Sequence, residues 1–276
     1  MGHSTEDLLT AQVLEQLASC GDPRLKSVME SLVRHLHAFV REVAPTPDEW
    51  MAGIQFLTRT GQMCDDKRQE YILLSDTLGV SMLVDAINHR APAGATESSV
   101  LGPFYVEGAP PAASGADLAP GEGPGVWVGG RVTDLAGRPL AHAVLDVWQT
   151  APNSLYHVQD GGQPEYHLCA KVTADAEGRY RFRTLKPVSY PVPTDGPAGD
   201  LMHRLGRHPY RPAHIHFIVS APGFKPVVTQ LFTRGDDYLD SDAVFGVKSS
   251  LVADYVANGD EWNVDYDFVL EPAAAA

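Results

Sequence analysis

The amino-acid sequence predicts an α+β protein in which an N-terminal helical domain, residues 1–95, precedes an antiparallel β-sandwich domain, residues 96–276. Two observations predict this order. Before residue 95, apolar side chains recur at three- and four-residue steps, which is the period of one face of a helix. After it, short apolar runs are separated by Gly, Pro and Asp without helical patterns between them, which is typical of an antiparallel sandwich.

The helical region contains a long amphipathic stripe, a capping box and a further helical stretch. Thr46-Pro47-Asp48-Glu49 places proline at the first helical position and glutamate at the third. The further stretch runs from about Lys67 to His89, where Gly79 could interrupt the helix. Several amphipathic helices before a separate domain could pack as intramolecular core or supply a dimer interface. The stripe consists of Leu25, Val28, Met29, Leu32, Leu36, Phe39, Val40 and Val43.

Six short β-rich runs follow residue 95 and predict the strands of the sandwich. The last run alternates, with apolar residues from Trp262 to Leu270 on one face. Two turn-rich segments, Leu101–Gly125 and Lys186–Gly206, are longer than ordinary loops, and loops of this length are usually functional or disordered. The predicted strands are Val126–Val132, Ala143–Trp148, Arg179–Arg183, Pro212–Val219, Val227–Phe232 and Trp262–Leu270.

Composition and charge restrict the function classes. Of the 276 residues 44% are apolar, and no stretch approaches the ~20 apolar residues of a membrane span. The N-terminus lacks the pattern of a signal peptide, so a cytoplasmic protein without a membrane partner is expected. A net charge of −14 without a basic run argues against nucleic acid as a partner. Scattered cysteines, odd in number, argue against a disulfide framework and a zinc site; they are Cys20, Cys64 and Cys169.

A histidine pair on a predicted strand is the first candidate for chemistry. Within Arg211–Val219, alternation places His214 and His216 on one face and apolar side chains on the other. Their Cα atoms lie about 7 Å apart, so both imidazoles can converge on one metal ion. An isolated pair is a weak signal, because such histidines can equally face solvent or bond to neighbouring side chains. An iron(II) facial triad needs a carboxylate beside the pair, but the next acidic residue, Asp236, lies twenty positions downstream.

Two tyrosines are candidate partners of the histidines. Tyr190 lies in a loop, residues 187–197, whose prolines stiffen the backbone, and rigid loops commonly carry functional side chains. Tyr156 follows a predicted strand. A phenol with a pKa near 10 binds as phenolate only to a strongly Lewis-acidic ion, such as iron(III). By composition alone, either tyrosine could equally be a packing residue.

Four segments carry a family resemblance, namely Leu101–Tyr105, Asp146–Gln149, Tyr190–Pro197 and Arg211–Phe217. Together they resemble the intradiol ring-cleavage dioxygenases, the family of the catechol, chlorocatechol and hydroxyquinol 1,2-dioxygenases. The resemblance runs from the helical region to near the C-terminus, and the combination of four motifs is highly specific. Ser75–Ser81 and Ala93–Ser99 are similar to the hydroxyquinol branch of the family.

The resemblance implies an iron(III) centre and an oxygenase reaction. Tyr190 would dissociate from the iron when the substrate binds. Arg211 would stabilise carbanion character on the ring, and Gln230 would line the pocket. Both atoms of O2 would enter a catechol-type ring and yield a cis,cis-muconate-type diacid. A homodimer through the N-terminal helices, and a lipid enclosed by them, are also implied. The implied metal ligands are Tyr156, Tyr190, His214 and His216.

The resemblance also places nine residues around the substrate ring. Among them, Asp76 could accept a hydrogen bond from a third ring hydroxyl, and a pocket built around that bond would reject plain catechol. We therefore expect hydroxyquinol as the substrate and 3-hydroxy-cis,cis-muconate, or its tautomer maleylacetate, as the product, with catechol or chlorocatechol as alternative substrates. The nine residues are Leu73, Asp76, Val100, Leu101, Gly102, Pro103, Val192, Pro193 and Val244.

One motif supports a non-enzymatic alternative. Gly129–Leu140, followed by Ala143–Val147, also looks like the prealbumin-type and adhesin-type sandwich modules, which bind or support other molecules. Such a module needs neither the Tyr190 loop nor the histidine pair, so the enzyme interpretation is preferred. Bound iron and a coloured protein are expected of the enzyme alone.

Overall fold

The structure is a computed structural model that describes residues 5–65 and 68–273. The chain divides into two compact units, Met1–Arg59 and Thr60–Ala276. No helix in the described ranges is both long and apolar enough to cross a membrane. The domain boundary near residue 95 stays a prediction, and the expected helix start at Lys67 lies outside the described residues.

Three helices form the N-terminal part of the chain, and their ends follow from local capping. Asp22 accepts two first-turn N–H groups of the second helix at 2.8 and 3.0 Å. The predicted capping box is confirmed, because Glu49 accepts the Thr46 backbone N–H at 2.8 Å and Thr46 Oγ1 accepts the Glu49 N–H at 3.3 Å. The helices are α1 (Thr5–Gln16), α2 (Pro23–Val43) and α3 (Pro47–Gln62), with a 3₁₀ turn at Leu17–Ser19.

The apolar stripe of α2 lies on the surface of the chain. Seven of its eight side chains are between 42% and 58% exposed. The stripe is therefore no part of a core within this chain, which leaves the interface alternative standing. The seven are Leu25, Val28, Leu32, Leu36, Phe39, Val40 and Val43.

Two short helices, α4 (Glu70–Thr77) and α5 (Val80–Asn88), follow in the second unit. Gly79 between them has a φ of 74°, a left-handed conformation open to glycine, so the interruption predicted there is confirmed. On α4 the buried residues include Glu70, Leu73 and Asp76, spaced one helical turn apart. One face of α4 is thus directed into the second unit.

Two six-stranded sheets form the sandwich of the second unit. The strands are β1 (Pro111–Ala113), β2 (Ala116–Asp117), β3 (Gly125–Asp134), β4 (Val144–Trp148), β5 (Ala170–Thr173), β6 (Arg179–Leu185), β7 (Tyr190–Pro191), β8 (Tyr210–Arg211), β9 (His214–Ser220), β10 (Val227–Thr233), β11 (Val252–Ala253), β12 (Val256–Asn258), β13 (Glu261–Asp265) and β14 (Phe268–Leu270). One sheet has the order β1-β5-β4-β9-β10-β11, and the other has β12-β13-β3-β6-β2 with β14 beside β3. The pairs β4–β9, β9–β10 and β3–β6 are antiparallel, whereas β10–β11 and β3–β13 are parallel.

Alternate residues of both sheets form the core. On β9, Ile215, Phe217 and Val219 are buried in this core. His214 and His216 lie on the opposite face of the same strand, as the alternation predicted, and they too are buried. The histidine face is therefore covered by other parts of the chain rather than by solvent.

The prediction of one continuous strand over Trp262–Leu270 is wrong, because the structure divides it into β13 and β14. The neighbouring β3 explains the break. Gly130 has a φ of 153°, and a Cβ at this glycine would lie 2.0 Å from the carbonyl oxygen of Tyr266. Asp267 Oδ1 accepts a β3 backbone N–H at 2.7 Å in place of a ladder bond. The apolar face of both strands still packs in the core.

The two long turn-rich segments contain regular structure that the sequence analysis missed. β1 and β2 lie in the first, and β7 and helix α6 (Pro197–Arg204) lie in the second. Pro197 opens α6, as proline often does. The Ala198 N–H is accepted at 3.0 Å by Glu70 Oε1 on α4, which lies 128 residues away in the chain. The loop that carries Tyr190 is thereby tied to α4.

Candidate metal centre

Four buried side chains from three segments converge beside β9. His214 and His216 project from β9, Tyr190 opens β7, and Tyr156 follows β4. Tyr156 Oη lies 2.9 Å from His216 Nε2 and 3.0 Å from Tyr190 Oη. His214 Nε2 lies 3.1 Å from His216 Nε2. The structure brings together the four side chains that the resemblance implied as metal ligands.

Neighbouring groups fix the orientation of both imidazoles. His214 Nδ1 donates to the carbonyl oxygen of Pro212 at 2.6 Å, which leaves the Nε2 lone pair facing the centre. Trp148 on β4 stands opposite His216, and their rings stack at 4.7 Å and 13°. Gly102 also lies close to His216, since a Cβ at this glycine would lie 3.3 Å from His216 Cε1.

Both imidazoles are held in the neutral form, which is the form that binds metals. Burial, followed by the charge of Arg211, lowers the pKa of His214 to about 3. Burial, with His214 beside it, lowers the pKa of His216 well below its usual value. Among residues 5–65 and 68–273, His216 Nδ1 and Trp148 Nε1 are buried without a hydrogen-bond partner.

Tyr156 needs a nearby cation before its phenol can ionise here. Burial raises the pKa of Tyr156 well above its usual value, and the neighbouring Tyr190 raises it further. A cation bound to the oxygens would reverse this shift. Adjacent ligands bound to one metal at about 2.1 Å lie about 3 Å apart, which matches the spacing of the four donor atoms. The part of the chain that the structure describes holds no metal-binding cluster of His, Cys, Asp and Glu alone, so the tyrosines complete this donor set.

Arg211, from β8, brings a buried cation to the centre. Its Nη1 lies 3.1 Å from His214 Nε2, and its Nη2 donates to Gln230 Oε1 at 2.8 Å. Nε and Nη2 donate to the two carboxylate oxygens of Asp242 at 3.0 and 3.1 Å. Burial opposes the charge, but Asp242 outweighs it and the pKa of Arg211 is raised. The guanidinium therefore stays protonated.

Asp242 belongs to the centre, although the sequence analysis missed it. Its oxygens also accept the backbone N–H groups of Val244 at 3.3 Å and Gly246 at 2.9 Å. Burial acts to raise the pKa of Asp242, but Arg211 holds it below its usual value. Asp242 lies outside every motif and 31 residues after its partner, so no local pattern identified it.

A cavity of about 530 Å³ lies beside α4. Three of the nine predicted pocket residues line it, namely Leu73 on α4, Pro103 and Pro193. Phe104 also lines it and stacks on Tyr156 with ring centroids 4.7 Å apart, so one lining side chain contacts a proposed ligand, although none of the four donor side chains lines the cavity. Phe104 and Trp148 were not among the predicted site residues. A cavity of this size accommodates a small aromatic molecule.

Asp76 is a buried carboxylate on α4 that faces the same charged network. Burial raises its pKa, while a hydrogen bond with Ser81 and the charge of Arg211 act to lower it and Asp242 acts to raise it. Asp76 therefore lies within electrostatic reach of both members of the Arg211–Asp242 pair.

The other six predicted pocket residues do not line this cavity. Gln230 Nε2 donates to the carbonyl oxygen of Val100 at 2.6 Å, which joins that segment to Arg211. Val244 is buried two residues after Asp242. Val192 is buried and donates its N–H to Pro209, whereas Leu101 is 39% exposed. The six that the cavity lining does not include are Asp76, Val100, Leu101, Gly102, Val192 and Val244.

Family models and curated relatives match the chain over most of its length. The model described as "Dioxygenase" matches residues 100–272, and the one described as "Catechol dioxygenase N terminus" matches residues 22–96. A hydroxyquinol 1,2-dioxygenase of Rhizobium sp. (strain MTP-10005) is 50% identical over 98% of this chain and 96% of its own. A 6-chlorohydroxyquinol 1,2-dioxygenase of Cupriavidus pinatubonensis is 52% identical over 96% of each chain.

A solved structure agrees with this assignment. Hydroxyquinol 1,2-dioxygenase from Pseudomonas putida DLL-E4 is similar, with a TM-score of 0.93 and 49% identity over 97% of this chain and 99% of that one. The predicted fold class, N-terminal helices followed by a sandwich, is confirmed. The chain belongs to the intradiol ring-cleavage dioxygenase family.

Proposed function

We propose that the chain cleaves hydroxyquinol (benzene-1,2,4-triol) between its adjacent hydroxyl groups, with insertion of both atoms of O2. The product is 3-hydroxy-cis,cis-muconate, or its tautomer maleylacetate. The observation that carries the proposal is the buried cluster of two phenol oxygens and two neutral imidazole nitrogens, spaced about 3 Å apart as adjacent ligands of one metal are. A sandwich module that only supports other molecules has no use for this cluster.

Iron(III) is the metal that we propose for the cluster. Its ligands would be Tyr156 Oη, Tyr190 Oη, His214 Nε2 and His216 Nε2. The set contains no thiolate and two hard oxygen donors, which suits a hard cation. When bound, iron(III) supplies a Lewis acid and template that draws electron density from the diol.

The side chains around the cluster have separate tasks in this proposal. Tyr190 Oη takes up one hydroxyl proton as the diol binds. Arg211 donates from Nη1 to the negative charge that develops on the ring, and a guanidinium keeps its charge when buried. Gln230 Oε1, which accepts from Arg211 Nη2 at 2.8 Å, helps to hold that guanidinium in place.

Asp76 selects the triol in this proposal. Its carboxylate is only 6% exposed, so a hydroxyl that arrives with the substrate gives it a donor, whereas catechol leaves that place unfilled. Three relatives named for hydroxyquinol or 6-chlorohydroxyquinol share about half of their residues with the chain. Catechol and chlorocatechol remain the alternative substrates. The proposed pocket residues are Leu73, Asp76, Val100, Leu101, Gly102, Pro103, Val192, Pro193 and Val244.

A homodimer is the assembly that we propose, with the exposed stripe of α2 in its interface. Such a stripe is costly to leave in water and is self-complementary across a two-fold axis. A lipid bound among the N-terminal helices is proposed with it, and mass spectrometry of the denatured protein without a co-purified lipid would count against that part. The three cysteines are free, which fits a reducing compartment such as the cytoplasm.

The visible spectrum of the purified protein tests the proposal. We expect an absorption band from tyrosinate bound to iron(III), and a shift of that band when hydroxyquinol is added without oxygen. With oxygen, the turnover of hydroxyquinol is expected to exceed that of catechol. A protein that stays colourless after reconstitution with iron would refute the metal assignment, and faster turnover of catechol would refute the substrate.

A further inference from the structure

The guanidinium of Arg211 has most of its hydrogen-bonding capacity committed inside the protein. Nε donates to Asp242 Oδ1, and Nη2 donates to both Asp242 Oδ2 and Gln230 Oε1. Nη1 is directed at His214 Nε2, the atom proposed to bind the metal. A nitrogen that binds a metal no longer accepts a hydrogen bond. Nη1 is therefore the part of Arg211 that remains for a substrate.

Asp242 sets this orientation more strongly than any other partner. Two parallel hydrogen bonds from a planar guanidinium to a carboxylate restrict both its position and its rotation. The carboxylate is itself fixed, since it accepts two backbone N–H groups of its own loop. Ser99 Oγ donates to the Gly246 carbonyl at 2.8 Å, which ties the end of that loop to a neighbouring segment.

Gly246 packs closely against the Arg211–Asp242 pair. A Cβ on Gly246 would lie 2.8 Å from Arg211 Nη2 and 3.2 Å from Asp242 Oδ2. Arg211 and Asp242 are 3% and 5% exposed, so water cannot replace either partner. The position of the guanidinium is thus determined by the loop that carries Asp242.

We propose that Asp242 is the positioning residue that aims Arg211 at the substrate ring. The proposal rests on the function proposed above, in which Arg211 touches the substrate. Removing the carboxylate frees the guanidinium to rotate, and a misplacement of about 1 Å can lower turnover about 100-fold. Both oxygens of Asp242 are committed to Arg211 and to backbone N–H groups, so we expect its effect on turnover to pass through Arg211.

A double-mutant cycle on the iron-loaded enzyme tests this coupling. The proteins are the parent, Asp242→Asn, Arg211→Gln and the double variant, and kcat and KM for hydroxyquinol are measured per bound iron. We expect each single variant to lose about 100-fold in kcat, and Asp242→Asn to change kcat less than threefold when Arg211→Gln is already present. Asp134→Asn is the matched control, because Asp134 is also buried and also pairs with an arginine, Arg138, at 2.7 Å. It is expected to lower Tm without lowering kcat.

The outcomes are distinguishable. Losses that multiply in the double variant, or a normal kcat in Asp242→Asn beside an impaired Arg211→Gln, would overturn the positioning role alone. A normal kcat in Arg211→Gln would overturn the role of Arg211 as well. If Asp242→Asn does not fold, Asp242→Glu decides, since it keeps the charge but displaces the guanidinium. At least a tenfold loss of kcat with bound iron retained supports the proposal, and an unchanged kcat overturns it.

Discussion

At the scale of single residues, the proposed selection of the triol by Asp76 can be tested directly. We expect Asp76→Asn to lower the ratio of kcat/KM for hydroxyquinol to that for catechol about tenfold, because a neutral amide accepts a hydrogen bond more weakly than a carboxylate. The ratio is obtained from oxygen uptake with each substrate. Asp240→Asn, at an exposed position, should leave the ratio unchanged. An unchanged ratio in both variants would mean that Asp76 does not contact the third hydroxyl.

The absence of a side chain at Gly246 is important for the Arg211–Asp242 pair. We expect Gly246→Ala to lower kcat at least tenfold, because the added methyl group would displace the Arg211–Asp242 pair. Gly123→Ala is the control, since a Cβ there meets nothing within 4 Å. Steady-state kinetics give kcat for both variants, and Tm is measured in parallel. Equal kcat values for the two variants would contradict the expectation.

The residues of the proposed metal centre differ in how far the sequence could identify them. The histidine pair follows from strand alternation, which is a local property. The tyrosines needed the family resemblance, because a phenol in a loop carries no sign of what it faces. Neither strand alternation nor the family resemblance identified Asp242, since its partner is distant in the chain and no motif surrounds it. Contacts of that kind are created by folding and leave no local pattern.

At the scale of elements, the same distinction separates correct from incorrect boundaries. The start of α3 and the break at Gly79 follow from neighbouring residues, so they were predicted. The gap between β13 and β14 depends on Gly130 of another strand, and α6 depends on Glu70 of another helix. A one-dimensional pattern cannot contain these partners.

Glu70 joins α4 to α6 and Arg68, and its removal should loosen both helices. Its carboxylate is fully buried, with Ala198 N–H at 3.0 Å and Arg68 at 2.9 Å. We expect Glu70→Gln to lower the free energy of unfolding by about 2 kcal/mol, or Tm by roughly 5 °C. Glu30→Gln removes a partly exposed pair on α2 and should cost less than about 1 kcal/mol. Equal losses in a thermal melt would show that burial at Glu70 is unimportant.

At the scale of the whole molecule, the exposed stripe of α2 predicts the assembly. We expect a dimer at micromolar concentration in sedimentation velocity, and a shift towards monomer in Leu36→Glu, because a charge at the centre of an apolar interface is left without a partner. Ser27→Glu places the same charge on the opposite face of the helix and should leave the dimer intact. A parent protein that sediments as a monomer would contradict the proposed interface.

Metal removal should lower the stability of the entire second unit. A ligand at about 1,000 times its dissociation constant stabilises the folded state by about 4 kcal/mol, so chelation of the iron is expected to lower Tm by roughly 10 °C. Calorimetry before and after chelation measures the difference. The variant His214→Ala should show little or no difference in Tm on chelation. A Tm of the parent protein that does not change when the chelator is added would indicate that the four donor atoms hold no metal.

Because Trp148 stacks on His216, its fluorescence is expected to report on the proposed metal. An indole 4.7 Å from a proposed metal ligand is close enough for its fluorescence to be quenched when iron is bound. The other three tryptophans, Trp50, Trp127 and Trp262, lie outside the donor cluster and provide a steady background emission. Loss and return of the proposed iron are therefore expected to change the fluorescence of Trp148 in the absence of any substrate, and Trp148→Phe is expected to abolish that change.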